Sequence, residues 1–236
     1  MKTVTISRVV GTMVSLMVLG SCCIWFVYRP WVLNWGATDT EIAMAMPGDK
    51  IIADATFNAT RAVTVNASAE YIWPWLVQIG YGRAGLYSYD KLDNDGIPSA
   101  EHIIPELQDL QVGDSIPIGP GFYVGVAVLE PNRSMLLEFP EWAEATWAWA
   151  LYPDGPNRTR LVTRLRGRPR GWSRLFADLG EIFPMRKSML GVKRRAETLA
   201  RQRAGTNGNV VFRSGSFGFS VKLSDLLSEL RGAWSS

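Results

Sequence analysis

His102 is the only histidine of the chain, and it follows Glu101, so this pair is the first candidate for acid–base or metal chemistry. A histidine beside a carboxylate can act as a general base or as a metal ligand. A closed metal site needs further ligands at fixed spacings, and the sequence has no second histidine, no HExxH and no CxxC pattern. We therefore interpret His102 as a loop or surface residue and predict neither a catalytic group nor a metal site.

Two further segments match known binding loops only superficially. Asp90, Asp93 and Asp95 precede Gly96, but an EF-hand needs acids at positions one, three and five and a glutamate at twelve. The glycines of segment 80–85 fit G-x-G-x-x-G, yet they follow a predicted helix, whereas a dinucleotide site needs a preceding strand. We predict a solvated turn in the first segment, no nucleotide site in the second, and no cofactor.

Aromatic side chains are the remaining candidates. Trp147 and Trp149 alternate on one predicted strand, so they share a face, and Trp73 lies on a predicted helix. Tyr87 and Tyr89 follow the glycine-rich loop. Such rings can line an apolar pocket for a small molecule or fill a solid core. The sequence leaves both interpretations open.

The elements that position these rings are predicted to be antiparallel strands. Alternating residues indicate strands at 61–65, 114–118, 122–129, 134–139, 146–152 and 159–166. Their short, turn-forming separators favour hairpins. In the last strand apolar residues alternate with Arg160, Arg164 and Arg166, so we expect that arginine face to meet water.

Two helices complete the predicted layers. The first follows Ser68 as N-cap and contains Pro74, which should kink or interrupt it. The second covers 172–203, with Pro184 at its start or at a kink. Its apolar residues recur at helical spacing. They are Met185, Met189, Val192, Ala196 and Leu199. We expect this helix to cover the aromatic sheet face, giving an α+β domain.

Residues 9–28 contain no charge and lie between Arg8 and Arg29. About 20 apolar residues suffice for a membrane-spanning helix, and Trp25 and Tyr28 suit the interface. A cleaved secretory signal is one alternative. A lipoprotein signal is another, because the string LGSC resembles a lipobox that ends at Cys22. We favour a single-pass membrane helix, with the basic N-terminus 1–8 cytoplasmic and the domain extracytoplasmic.

Charge is distributed unevenly along the chain. Segment 39–144 holds 16 acidic and 5 basic residues, whereas segment 156–203 holds 14 basic and 3 acidic ones. These segments can pair within the domain, or the basic one can meet anionic lipid or an acidic partner. No nucleic-acid module accompanies the charge, so we expect no nucleic-acid partner.

Several strings resemble a known superfamily. NWGAT at 34–38, WPWLVQ at 73–78, GRAGLYSYD at 82–90 and PELQDLQVGD at 105–114 are similar to a bacterial, membrane-anchored subgroup of the START-like (SRPBCC, polyketide cyclase, Bet v 1-like) superfamily. The order of predicted elements over 29–203 is also similar. The resemblance implies a helix-grip fold, in which an antiparallel sheet wraps a long C-terminal helix with an apolar cavity between them. It implies no particular reaction.

The resulting organisation is a membrane helix at 9–28, a connecting arm at 29–58, a START-like domain at 59–203, and a flexible tail at 204–236 with a short amphipathic helix. Residues expected to contact a ligand are Trp73, Tyr87, Tyr89, Trp147, Trp149 and Arg83. The expected function is membrane-anchored binding or carriage of a hydrophobic small molecule or lipid.

Two alternatives to this function remain open. One is a cyclase- or hydratase-type enzyme that uses Tyr87, Asp90 and His102. The other is a protein whose basic helix contacts lipid headgroups or a partner. The sequence does not define an oligomeric state.

Overall fold

A continuous helical stretch opens the chain in the computed structural model, which describes residues 2–207, 209–212 and 219–222 and the side chains of 8–205. Helix α1 (Lys2–Cys23) runs through a π-helical turn (Ile24–Tyr28) into α2 (Arg29–Asn34). Within this stretch, residues 8–34 form one helix long and apolar enough to cross a membrane. The helix therefore extends beyond the predicted segment 9–28 into the arm.

The remaining elements follow in chain order. They are α3 (Asp39–Ala43), β1 (Phe57–Val65), α4 (Ala69–Val77), α5 (Asp90–Asp93), β2 (Ser115–Gly119), β3 (Phe122–Glu130), β4 (Ser134–Glu138), β5 (Ala145–Pro153), β6 (Thr159–Gly167), α6 (Gly171–Leu179), α7 (Ile182–Asn207), β7 (Asn209–Phe212) and β8 (Phe219–Lys222). Strands β7 and β8 pair as a separate hairpin, which the prediction of a flexible tail did not include. The predicted amphipathic helix beyond residue 222 lies outside the described residues.

Six strands form one antiparallel sheet in the order β1-β6-β5-β4-β3-β2. Irregular register between Pro117 and Gly119 and between Val126 and Val128 interrupts the ladders on either side of β3. Such bulges bend a sheet and increase its twist. The predicted antiparallel strands are confirmed, and the largest difference in bounds is at β1, which begins four residues earlier than expected.

Helix α7 covers the inner face of the sheet. Met189, Val192 and Ala196 are fully buried in the same core cluster as Trp149 and Leu161. The predicted segment 172–203 forms two helices, however, because α6 ends at Leu179 and α7 begins at Ile182. Pro184 lies in the first turn of α7, where a missing N–H group is tolerated.

Helix α4 differs from its prediction in two details. Pro74 lies inside the helix and does not interrupt it. Ser68 occupies the N-cap position without capping the backbone, because its hydroxyl donates to the Glu70 carboxylate instead, at 3.0 Å.

The expectation that the arginine face of β6 meets water is wrong. The arm folds over this face and supplies acceptors to it. Arg160 pairs with Glu41 at 2.7 Å, and Arg164, only 3% exposed, pairs with Asp49 at 2.7 Å. A small apolar cluster that includes Met46 packs beside these pairs. Alternation along a strand cannot distinguish water from a polar covering segment, because both satisfy guanidinium groups equally well.

Many of the unevenly distributed charges pair within the domain. Arg168 contacts both Asp54 and Glu144, and Arg194 and Arg195 both contact Glu101. These side chains therefore pair within the domain, which is the first of the two alternatives that the charge distribution left open.

Acid should loosen the arm, because Glu41 carries a lowered pKa. Burial by itself would raise this pKa, but hydrogen bonds from Arg160 and Thr38 outweigh burial and lower it from the ordinary value of 4.5. A carboxylate whose folded pKa is lowered adds stability above its unfolded pKa and loses it as pH falls through the folded value. Glu41→Gln should therefore lower the unfolding temperature near neutral pH, and the difference from the original protein should shrink below about pH 4.5.

Thermal unfolding of the full-length protein in nanodiscs, followed by tryptophan fluorescence across this pH range, measures the effect. Glu106→Gln, at an exposed carboxylate, is the control and should show little difference at any pH. A Glu41→Gln difference that is the same at all pH values contradicts the assignment.

Candidate functional site

A cavity of about 380 Å³ lies between the inner face of the sheet and the helices α6 and α7. Its volume falls within the range of roughly 300–1,000 Å³ that is usual for small-molecule pockets. The sheet side of the wall is formed by Ile118, Phe122, Phe139, Trp147 and Leu165. Trp147 and Leu165 are cross-strand neighbours, so the inward alternation of β5 and β6 brings them together.

The opposite wall comes from two helices and one loop. Phe176 and Ala177 lie on α6, Glu181 precedes α7, and Pro184, Met185 and Ser188 lie on α7, with Leu86, Ser88 and Asp93 completing the rim. Most of this lining is apolar. The cavity can therefore hold a hydrophobic molecule and offers few polar contacts to orient it.

The polar atoms of the wall are only partly satisfied. Ser88 Oγ donates to the Pro184 carbonyl at 3.0 Å, and Asp93 Oδ2 accepts from the Tyr89 N–H at 3.1 Å. Asp93 Oδ1 and Ser188 Oγ are buried and have no hydrogen-bond partner among the described residues.

Glu181 forms a buried ion pair with Arg61 of β1. Their Oε2 and Nη1 atoms lie 2.5 Å apart, and the Arg61 side chain is 1% exposed. Arg61 Nε also donates to the Val32 carbonyl at 2.8 Å, which joins the pair to α2. Burial raises the pKa of Glu181 more than Arg61 lowers it. The carboxyl group is therefore easier to protonate than an exposed glutamate.

Only one of the six predicted ligand contacts lines this cavity. Trp147 does so, and its indole N–H donates to Thr163 Oγ1 at 2.9 Å. Trp149 lies beside it, with ring centroids 5.1 Å apart, but is fully buried in the core cluster that also contains Trp73. Trp149 and Trp73 therefore fill the core and do not line the cavity.

Tyr87 is also a core residue. Its hydroxyl donates to the Trp75 carbonyl at 3.1 Å, and the Arg195 guanidinium lies 4.5 Å from its ring centroid. Burial raises the pKa of this phenol. Gly191 lets α7 approach this point, because a Cβ atom there would lie 2.4 Å from the Tyr87 carbonyl oxygen.

The other two predicted contacts lie elsewhere. Tyr89 is 39% exposed, with the Lys187 ammonium 3.9 Å from its ring centroid, and it lines a separate smaller pocket with Trp31. Arg83 donates to the Val77 carbonyl at 3.2 Å, and burial lowers its pKa. The structure therefore does not gather the six residues around one space.

Sequence reasoning missed most of the lining. Met185 was predicted to lie on the helix face that covers the sheet, but it was not among the expected ligand contacts. Glu181 carried a usable signal, because it is one of three acids in the basic segment 156–203. Phe122 and Phe139 carried none, since their positions near strand ends match many core residues.

Helix α6 turns an apolar face outward next to the cavity. Trp172, Leu175 and Phe176 are 86%, 49% and 58% exposed, while Ala177 and Asp178 face the protein. The base of the long N-terminal helix is attached to the end of α6. There the Tyr28 hydroxyl donates to the Leu179 carbonyl at 2.7 Å, and Arg29 pairs with Asp178 at 2.9 Å. An exposed aromatic surface thus adjoins the candidate membrane helix.

The strand order, the antiparallel register and the closing helix α7 together define an α+β helix-grip fold, which is the fold that the START-like resemblance implied. The predicted fold class is confirmed. No family model matches the sequence, and no curated protein matches it. The fold assignment rests on the topology of this chain.

Several solved structures are similar to this chain at low identity. The Aha1 dimer from Colwellia psychrerythraea is 16% identical over 60% of this chain and 97% of its own, with a TM-score of 0.39. A polyketide cyclase-like protein from Corynebacterium glutamicum is 14% identical over 64% and 93%, with a TM-score of 0.32. A protein from Thermobifida fusca is 10% identical over 60% and 94%, with a TM-score of 0.42.

Proposed function

We propose that this protein is a membrane-anchored binding or carrier protein that holds a hydrophobic small molecule or lipid in the cavity. The observation that carries the proposal is the cavity itself, which is apolar, of ligand size and lined by aromatic side chains such as Phe122, Phe139 and Trp147. A solid core would leave no such space, because protein interiors are close-packed.

The membrane is the proposed partner of the N-terminal helix. Residues 8–34 are apolar and long enough to span it, and Trp25 stacks with Arg29 at 5.0 Å, as suits an interfacial anchor. Lys2 and Arg8 precede the uncharged segment 9–28, so the proposed domain orientation is extracytoplasmic.

The apolar face of α6 supports the same arrangement. Trp172 and Phe176 are costly to expose to water but favourable at a lipid headgroup boundary. Because Arg29 and Tyr28 attach α6 to the base of the proposed span, this face lies beside the point where the chain leaves the membrane. The cavity wall that contains Phe176 would then adjoin the lipid from which a ligand enters.

Neither alternative function gains support. Tyr87, Asp90 and His102, on which the enzyme alternative depended, do not line the cavity among the residues that the structure describes. Arg194 and Arg195 of the basic helix both bind Glu101, so they are engaged within the domain. We therefore propose neither the enzyme nor the headgroup-binding helix.

A photoactivatable dodecane that carries a diazirine and no polar group tests the proposal. Full-length protein in nanodiscs should be labelled on the α7 peptide that contains Met185, in addition to the membrane helix. Leu165→Trp fills part of the cavity and should reduce the Met185 labelling at least about fivefold, since overpacked space no longer admits the probe. Peptide mass spectrometry measures both sites.

Ile51→Trp is the matched control, because Ile51 is 53% exposed and lies in the arm, which covers the outer face of the sheet. It should leave the labelling of Met185 unchanged. The membrane helix gives an internal reference for how much probe enters the bilayer. Labelling confined to the membrane helix, or labelling of Met185 that Leu165→Trp does not change, would overturn the proposal.

A further inference from the structure

The unsatisfied polar atoms of the cavity wall indicate what its ligand must offer. Asp93 Oδ1 is a carboxylate oxygen, which only accepts hydrogen bonds when ionised. Ser188 Oγ can donate or accept. The first of these two buried atoms therefore requires a donor, and the second can accept from one.

Both atoms belong to the side of the cavity that is formed by helices and a loop. Ser188 lies on α7, and Asp93 lies at the end of α5 and completes the rim. The sheet side, which includes Phe122 and Leu165, is apolar. A ligand in the cavity therefore has polar atoms on one side and apolar side chains on the other.

The charge of the wall is negative. Among the lining residues that the structure describes, Asp93 and Glu181 are ionisable acids and none is lysine, arginine or histidine. Arg61, which does not join the lining, pairs with Glu181 and offsets its charge, so Asp93 gives the wall its negative charge. A ligand carboxylate or phosphate would meet like charge here and find no cation exposed to it.

Burial makes the unsatisfied acceptors selective. Water that hydrates them must be displaced when an apolar molecule fills the cavity, and its hydrogen bonds must then be replaced. A ligand with a hydroxyl or ammonium group replaces them, whereas a ligand without a donor leaves a buried carboxylate oxygen, Asp93 Oδ1, unpaired.

We infer that the ligand is an apolar compound whose polar end is a hydrogen-bond donor, a hydroxyl or an ammonium group, and not a fatty-acid anion or a phosphate. This inference rests on the proposed function and specifies the class of molecule that the cavity selects.

Four diazirine probes of equal chain length separate the possibilities: dodecane, dodecanol, dodecylamine and dodecanoic acid. They are applied to the full-length protein in nanodiscs, at a pH at which the acid and the amine are both ionised. Labelling of the Met185 peptide is divided by labelling of the membrane helix, which corrects for unequal partitioning into lipid. Dodecanol or dodecylamine should exceed dodecanoic acid by at least about tenfold, as hydrogen bonds to charged groups require. The ratio of dodecanol to dodecylamine shows whether the selected donor is neutral or charged.

Two variants test whether the side chains of Ser188 and Asp93 cause the preference for a ligand with a hydrogen-bond donor. Ser188→Ala should lower dodecanol labelling but leave dodecane labelling unchanged. Asp93→Asn should reduce the discrimination against dodecanoic acid, because the amide removes a negative charge and adds donors. Ser134→Ala is the matched control, since Ser134 is a buried serine of β4 outside this cavity, and it should change nothing.

The outcomes distinguish this inference from the proposed function. If dodecane labels Met185 while dodecanoic acid labels it as strongly as dodecanol, the donor requirement is wrong and the hydrophobic cavity stands. The same holds if Ser188→Ala and Asp93→Asn leave all ratios unchanged. If no probe labels Met185, the proposed function itself fails.

Discussion

Replacing Arg164 with methionine is expected to lower the free energy of unfolding by about 3–5 kcal/mol, the usual effect of breaking a buried ion pair. Arg164 donates to Thr60 Oγ1 at 2.8 Å and pairs with Asp49 at 2.7 Å. It also donates to three arm carbonyls, those of Glu41, Ile42 and Met44. Methionine preserves much of the apolar stem but leaves these acceptors without a donor.

Urea unfolding of the full-length protein in detergent micelles, followed by tryptophan fluorescence, measures this effect. The matched control is Arg158→Met, because Arg158 is 54% exposed and pairs with Asp154 at the surface. Exposed pairs contribute about 0–1 kcal/mol, so the control should unfold almost normally. Equal losses in the two variants would show that the arm does not depend on Arg164.

Removing Glu181 while keeping Arg61 should be the other strongly destabilising change. Glu181→Leu leaves a guanidinium that is always charged and almost fully buried, at an expected cost of about 3–5 kcal/mol. Arg61→Met should cost less, because burial raises the pKa of Glu181 and the remaining carboxyl group can take up a proton. The double variant should be more stable than Glu181→Leu alone, since no unpaired charge remains.

The same urea measurement on all four proteins closes a double-mutant cycle. A coupling energy of at least about 1.5 kcal/mol is expected for a contact of this kind. Arg194→Met, which breaks an exposed pair with Glu101, should couple to neither change. Losses that simply add in the double variant would mean that the two side chains do not stabilise each other.

The fold could be predicted because local patterns determine it. The alternation of Leu161, Thr163 and Leu165 defines the inward face of β6, and the helical spacing of Met189 and Val192 defines the face of α7 that covers it. Both patterns depend only on which side of an element is apolar. The structure confirms both.

The covering of the outer face could not be predicted in this way. Arg164 satisfies its guanidinium with carbonyls of the arm, more than 100 residues earlier in the chain. Backbone carbonyls leave no signature in a sequence, because every residue has one. The charges of Glu41 and Asp49 showed that pairing was possible, but not which arginines they meet.

The resemblance implied an apolar cavity between the sheet and the helix, but the sequence did not identify most of the residues that line it. Trp147 and Trp149 lie two residues apart on one strand, yet only Trp147 lines the cavity and Trp149 is fully buried. Whether a ring meets a neighbour or an open volume depends on how α6 and α7 sit over the sheet. The interruption between α6 and α7 at Gly180 determines how the two helices lie over the sheet. The sequence predicted one continuous helix there and so did not include this interruption.

The uninterrupted path from α1 to α2, and the contacts of its end with the domain, join the domain rigidly to the N-terminal helix. Residues 8–34 are about 40 Å long at 1.5 Å per residue, longer than a hydrocarbon core of about 30 Å. In the proposed anchored state, a thinner bilayer increases the tilt of such a helix. Since Arg29 and Val32 fix its end to Asp178 and Arg61, the tilt would carry the domain with it and change how deeply Trp172 reaches the headgroups. Bilayer thickness would then influence access to the cavity of the proposed anchored protein.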